Sequence, residues 1–318
     1  MARYRNALPQ LGDRLFMTDG GLETVLIFHQ GIDLPAFASF DLFSRPDGYE
    51  RLRAYYDRYA ALAHSRNLGF ILESPTWRAN RDWGAGIGYD ADALVDSNRV
   101  AIDLMRELRD RYDGTDTPMV ISGNIGPRGD GYVVGHAMSA DEAADYHAEQ
   151  IRTFASSEAD FVSAMTMNYV EEAIGIVRAA EAAEMPVVIS FTLETDGRLP
   201  SGQALGDAIA AVDGSVGVAP AYYMINCAHP THFDRLFGAG AGWTSRIRGV
   251  RANASRRSHA ELDNAADLDD GDPAELGRQF AALRRACPGL TVLGGCCGTD
   301  FRHVEAICLA CDTVEAAA

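Results

Sequence analysis

Residues 91–123 read ADALVDSNRVAIDLMRELRDRYDGTDTPMVISG, and the change of period inside this stretch decides the fold. Leu94, Val95, Ile102, Leu104, Met105 and Leu108 recur close to every 3.6 residues, which predicts a helix over Ala91–Tyr112. Pro118 marks where that helix must already have ended, and the apolar run Met119–Gly123 predicts a short buried strand. Working outward, the same alternation recurs along the chain. The other candidate strands are Leu15–Thr18, Gly69–Leu72, Phe161–Thr166, Val187–Leu193, Tyr222–Cys227, Gly249–Asn253 and Thr291–Gly295. Helix-like stretches lie between them. Gly48–Arg66 carries Leu52, Tyr55, Tyr56, Tyr59 and Leu62, and Ser139–Ser156 opens with Ser139 and Glu142 in a capping-box pattern. Eight βα units with no linker-like shift in composition predict a single (β/α)8 TIM barrel, one domain over residues 1–318. An open, doubly wound sheet is the alternative architecture.

Composition narrows the chemistry. Hydrophobic residues make up 47% of the 318, enough for a large core. The formal net charge of −17 argues against nucleic acid or an anionic membrane as partner, since both need a positive face. No run approaches the length of a membrane span and Met1–Leu15 has no apolar signal core, so a cytoplasmic location is expected. The chain has no lysine; all 28 basic residues are arginine. That excludes Schiff-base aldolase chemistry, an internal pyridoxal-phosphate aldimine and a Walker lysine.

The segments after the first strand (Gly20–Asp47) and the seventh (Ala254–Asp272) are long and fall where a barrel builds its active face, so both are candidate lids. The second ends in Asp263, Asp267, Asp269, Asp270 and Asp272, read as a solvated loop because it lacks the spacing of a calcium loop.

The six cysteines divide into two groups. Cys296 and Cys297 stand in Gly294-Gly295-Cys296-Cys297-Gly298-Thr299, at the end of strand eight. Adjacent side chains in a regular strand point to opposite faces, but the flanking glycines let the backbone kink and turn both sulfurs inward. Cys227 ends strand six, and alternate strands contribute to the same interior layer. Three thiolates at the mouth would hold zinc with its fourth position open, the pattern of a catalytic site. Bound there, a thiol substrate loses its proton yet stays nucleophilic toward a methyl donor with a positive leaving group. Cys287, Cys308 and Cys311 are read as structural.

These motifs resemble the homocysteine S-methyltransferase family of zinc-dependent barrels. The resemblance runs through nearly the whole chain: Asp19-Gly20-Gly21 after strand one, Gly123-Asn124-Ile125-Gly126-Pro127 after strand three, Ser190-Phe191-Thr192-Leu193 in strand five, Asn226-Cys227 and Gly294–Thr299. It implies that Cys227, Cys296 and Cys297 ligate zinc and that Asp19 meets the substrate ammonium. It also implies that Thr166 and Asn253, at the ends of strands four and seven, line the acceptor site. Trp77, Tyr222 and Trp243 are aromatic candidates for cradling a methylated cation, with core packing the favoured role for Tyr222.

Two positions depart from the family. Met165 stands where a glutamate usually gives the ammonium a second partner, and Arg78 replaces a neutral amide in Thr76-Trp77-Arg78-Ala79. Methionine cannot pair with an ammonium, and an added arginine favours an anionic group. Glu73 and Glu194 are candidates to restore the missing charge. The leading expectation is methyl transfer from a small sulfonium or quaternary ammonium donor to homocysteine or a related thiol or selenol. The alternative is a barrel that binds zinc or a thiol without that transfer, as a sensor or a divergent homologue using another thiol.

Overall fold

In the computed structural model, which describes residues 2–237, 242–265 and 267–312, eight parallel strands run in sequence order and close on themselves. They are β1 (Phe16–Met17), β2 (Gly69–Glu73), β3 (Met119–Ile125), β4 (Phe161–Met167), β5 (Val187–Phe191), β6 (Tyr223–Asn226), β7 (Ile247–Ala252) and β8 (Val292–Gly295). Closure is made by β1, which pairs with β2 on one side and with β8 on the other. This rules out the open sheet. All eight predicted strands are present, with bounds that shift by two residues or fewer.

The helices follow from local chemistry. Ala91–Tyr112 has its predicted bounds, with the Asp90 side chain accepting from the Ala93 N–H. The helix Ala140–Ala155 opens with both bonds of the Ser139–Glu142 capping box. Among the described residues no helix is long and apolar enough to cross a membrane.

Strand residues alternate between two cores. Met17, Phe70, Leu72, Met119, Ile121, Val162, Ile189, Tyr223, Ile225 and Leu293 pack outward against the helices. Phe16, Ile71, Val120, Phe161, Val188, Met224 and Val292 fill the barrel itself. That period of two is the strand pleat, and it makes the lower interior a packed core rather than a channel.

Toward the C-terminal ends the inward positions turn polar. Glu73, Ser122, Ser163, Ser190 and Asn226 are all buried there, with Ser163 donating to Glu73 Oε2 at 2.6 Å and Ser190 to Asn226 Oδ1 at 2.6 Å. Arg251, on β7, ties three strand ends together. Its Nη2 donates to Asp19 Oδ1 (2.8 Å) and the Gly20 carbonyl, and its Nε donates to the Gly295 carbonyl. Tyr55 donates to the other Asp19 oxygen at 3.0 Å. Burial pushes the Asp19 carboxyl above its usual range, and the Arg251 charge and Tyr55 hydroxyl work against that rise. The β1 and β8 ends pack so closely that a Cβ on Gly294 would meet Thr18 Oγ1 at 1.9 Å.

Removing one member of a buried ion pair leaves the other charged and dry, which costs about 3–5 kcal/mol, whereas removing both is far milder. Arg251→Met is therefore expected to lower the unfolding free energy by about that amount in urea titrations. The Asp19→Asn/Arg251→Met double variant should lose much less than the two single losses combined. Additive losses would show that the pair is not coupled.

Candidate metal centre

The sheet positions the cysteines through β7. Cys227 directly follows β6, and its N–H donates to the Arg251 carbonyl at 3.1 Å; Cys296 directly follows β8, and its N–H donates to the Ala252 carbonyl at 2.8 Å. Two consecutive carbonyls of one strand thus set both cysteines at the mouth, with Cα atoms 5.4 Å apart. Beyond them the chain turns sharply. Thr299 donates through its N–H and its hydroxyl to the Cys296 carbonyl, and Gly298 takes a φ of 79°. A Cβ on Gly295 would lie 2.1 Å from Thr299 Oγ1, so the turn requires glycine there.

The result is a three-sulfur cluster. The Sγ atoms of Cys227, Cys296 and Cys297 all lie within 4.8 Å of one another. Cys227 and Cys296 are joined as a disulfide, and Cys297 Sγ lies 3.8 Å from Cys227 Sγ. Tetrahedral thiolates about 2.3 Å from a zinc ion sit about 3.8 Å from one another. The Cys227–Cys297 pair has that spacing, and three sulfur donors suit a soft, tetrahedral ion in their chemistry once the disulfide is reduced.

Backbone conformation next to the sulfurs is unusual. Cys227 and the β-branched Thr166 have φ of 53° and 65°, values that side chains with a Cβ rarely adopt. Asn226 holds this arrangement. Its Oδ1 accepts from the Thr166 N–H at 2.9 Å, and its Nδ2 donates to Thr166 Oγ1 at 2.8 Å and faces Cys296 Sγ at 4.0 Å. Asn253 donates to the Cys227 carbonyl at 3.1 Å, while its buried Oδ1 has no partner among the described residues.

Two residues at the centre were not singled out from sequence. Tyr132, on the loop after β3, places its hydroxyl 3.5 Å from both Cys227 Sγ and Cys297 Sγ. Its ring stacks on His259 at 4.2 Å. His259 Nε2 donates to the Cys227 carbonyl at 2.6 Å, and its Nδ1 lies 3.2 Å from Glu194. Both residues come from loops of no fixed length, so strand counting does not find them. The run Gly129-Asp130-Gly131 beside Tyr132 is the one available signal of a close approach.

The other expected residues divide by position. Trp77 lies at the mouth, its indole N–H donating to the Met165 carbonyl at 3.3 Å, and one ring face carries the Arg78 guanidinium at 3.9 Å. Asp19 has both carboxylate oxygens engaged, by Arg251 and Tyr55. Glu73 faces the barrel interior and Glu194 meets His259, so neither stands unpartnered. Two aromatic candidates lie elsewhere. Tyr222 precedes β6 and packs with Phe16 and Val292 in the lower core, because its strand enters the barrel at that end. Trp243 packs against Gly206 of the helix Leu205–Asp213, outside the sheet. The aspartate run lies at the solvent-exposed surface, as its sequence predicts, and three of its members also tie the loop down: Asp269 accepts from Ser255, Asp270 pairs with Arg302 and Asp272 caps the next helix. Cys308 and Cys311 are buried in the last helix, where burial pushes their thiols up to about 11 and about 12.

With this geometry in hand, comparison with known proteins is direct. The model of the homocysteine S-methyltransferase family matches residues 16–311. A selenocysteine Se-methyltransferase from Brassica oleracea var. italica is 23% identical over 91% of this chain and 86% of its own length. Crystal structures of the Escherichia coli homocysteine methyltransferase MmuM superpose over 96% of this chain. The metallated form does so with a TM-score of 0.70, 19% identity and 99% of its own chain covered; for the oxidised form the values are 0.71, 20% and 98%. At such identities the superpositions speak for the fold, and the family match covers nearly all of the chain: it belongs to the homocysteine S-methyltransferase family.

Proposed function

We propose that this barrel, acting as one domain over residues 1–318, transfers a methyl group from a small sulfonium or quaternary ammonium donor to homocysteine or a related thiol or selenol. Zinc held by Cys227, Cys296 and Cys297 would be its cofactor. The observation that carries this reading is the three-sulfur cluster at the mouth of a barrel of this family. Zinc supplies a thiolate at neutral pH, where a free thiol with a pKa of roughly 8.5 is only a few per cent ionised. The acceptor sulfur gains the methyl group, the donor leaves as a neutral thioether or amine, and the thiol proton passes to solvent.

The chain's own residues orient the reactants. Asn226 fixes the backbone from which Cys227 projects and braces Thr166 across the mouth. Tyr132 flanks the sulfurs of Cys227 and Cys297, and His259 stacks behind it and holds the Cys227 carbonyl, while Cys297 stays open to solvent and to an incoming thiol. Trp77, Thr166 and Asn253 are proposed to line the acceptor side, with the unpartnered Asn253 Oδ1 available to a donor on the substrate. Asp19 adds little net charge for an ammonium, because Arg251 already balances it. That, together with Met165, keeps open a thiol other than homocysteine as acceptor.

The disulfide belongs to the same reading. Two cysteines that share an ion are held within bonding reach of each other, so in the metal-free protein an external two-electron oxidant, such as a low-molecular-weight disulfide, couples Cys227 and Cys296: it takes up their two electrons and two protons and is itself reduced to two thiols. Metal loading then depends on a reducing compartment, which accords with the proposed cytoplasmic location.

Protein purified under reducing conditions is expected to carry about one zinc per chain, lost in Cys297→Ser. Incubated with homocysteine and a panel of methylated sulfonium and ammonium donors, it should form methionine. Reduced protein without metal would contradict the proposal. Zinc without transfer to any thiol would leave a binding-only barrel in its place. Asn226→Ala should weaken zinc binding roughly 10- to 100-fold in competition with a chelator, since it removes the support of Cys227 and Cys296 while leaving all three sulfurs.

A further inference from the structure

We infer that Arg78 is the residue that selects the acceptor, by binding an anionic group, a carboxylate, on the thiol. This rests on the transfer reading above and adds the charge of the substrate to it.

Arg78 lies on the loop after β2 and is 5% exposed. Its guanidinium is sandwiched between the rings of Trp77 at 3.9 Å and Trp83 at 3.7 Å. Among the described residues its hydrogen bonding amounts to one bond, from Nη1 to the Gly129 carbonyl at 3.0 Å, and its buried Nε has no partner. No carboxylate among the described residues lies within ion-pair distance of it. Asp130, on the loop that Arg78 touches, is used elsewhere: its Oδ1 accepts from the Tyr132 and Val133 N–H groups. A buried cation without a counter-charge is costly, and aromatic faces offset only part of that cost. Burial pushes the Arg78 guanidinium pKa down to about 10.

The position faces the chemistry. Arg78 donates to the Gly129 carbonyl, three residues before Tyr132, whose hydroxyl lies 3.5 Å from the sulfurs of Cys227 and Cys297, so one short loop links the guanidinium to the metal centre. Trp77, which stacks on Arg78, is anchored to the Met165 carbonyl, and Met165 stands at the site of the missing glutamate. The same corner of the mouth that lacks an acid for an ammonium therefore holds an unpaired base. A planar fork of donors clamped by two indoles suits a carboxylate, which can take two parallel hydrogen bonds.

The test is calorimetric binding to the reduced, zinc-loaded protein of three thiols: homocysteine, its deaminated analogue (a mercaptobutyrate) and its decarboxylated analogue (a mercaptopropylamine). Wild-type protein is expected to bind the two carboxylate-bearing thiols roughly 10- to 100-fold more tightly than the mercaptopropylamine. Arg78→Met should abolish that preference while leaving mercaptopropylamine binding unchanged, and Arg78→Lys, which keeps the charge without the fork, should retain part of it. The wild-type comparison alone decides the matter if a variant does not fold. Equal affinities for all three thiols would overturn the role of Arg78 and leave methyl transfer standing. Binding of none of them would overturn the transfer reading, and this inference with it.

Discussion

Everything at the mouth of this barrel depends on two adjacent peptide carbonyls of β7. The Arg251 carbonyl receives the N–H of Cys227 and the Ala252 carbonyl receives the N–H of Cys296. A closed parallel sheet brings strands six and eight to either side of strand seven at a common height, so cysteines 69 residues apart in sequence become neighbours. Neither cysteine needs a long or flexible side chain to arrive there. The barrel does the positioning, and the short turn through Gly298 adds the third sulfur.

A second constraint is charge in a dry interior. The upper barrel contains Asp19, Glu73 and Arg251, all buried, and the structure settles them among themselves through Arg251, Tyr55 and Ser163. The same side chain that balances Asp19 also clasps the Gly295 carbonyl just before the cysteine pair. Stability and site geometry are therefore coupled through one guanidinium. Arg78 is the contrasting case: equally buried, stacked on tryptophans and, among the described residues, without an acid at ion-pair distance. A cation kept in that state at the edge of a catalytic mouth points to a ligand rather than to the fold.

Much of this was legible in the amino-acid order. Strand and helix periods located all eight βα units, and the Ser139–Glu142 box formed as its spacing indicates. The glycine-flanked cysteines announced a cluster because a vicinal pair at a strand end needs a kink to converge. What stayed hidden has a common physical cause. Tyr132 reaches the sulfurs, and His259 the Cys227 carbonyl, from long segments between strands and helices, whose path is set by tertiary packing and not by period. Arg251 reads as an ordinary strand residue until the barrel closes and brings Asp19 within 2.8 Å of it. Tyr222 takes the core-packing role favoured for it, and Trp243 lies outside the sheet, because aromatic identity says nothing about which end of a strand, or which face of a helix, a ring occupies.

The central claim is that three cysteine sulfurs hold zinc and leave room for a thiol. X-ray absorption at the zinc edge of the reduced protein tests it most directly, before and after a thiol acceptor is added. The account predicts three sulfur neighbours at about 2.3 Å with one lighter ligand, changing to four sulfurs on addition of the thiol. A zinc with fewer than three sulfurs, or a sulfur count that the thiol does not change, would contradict it.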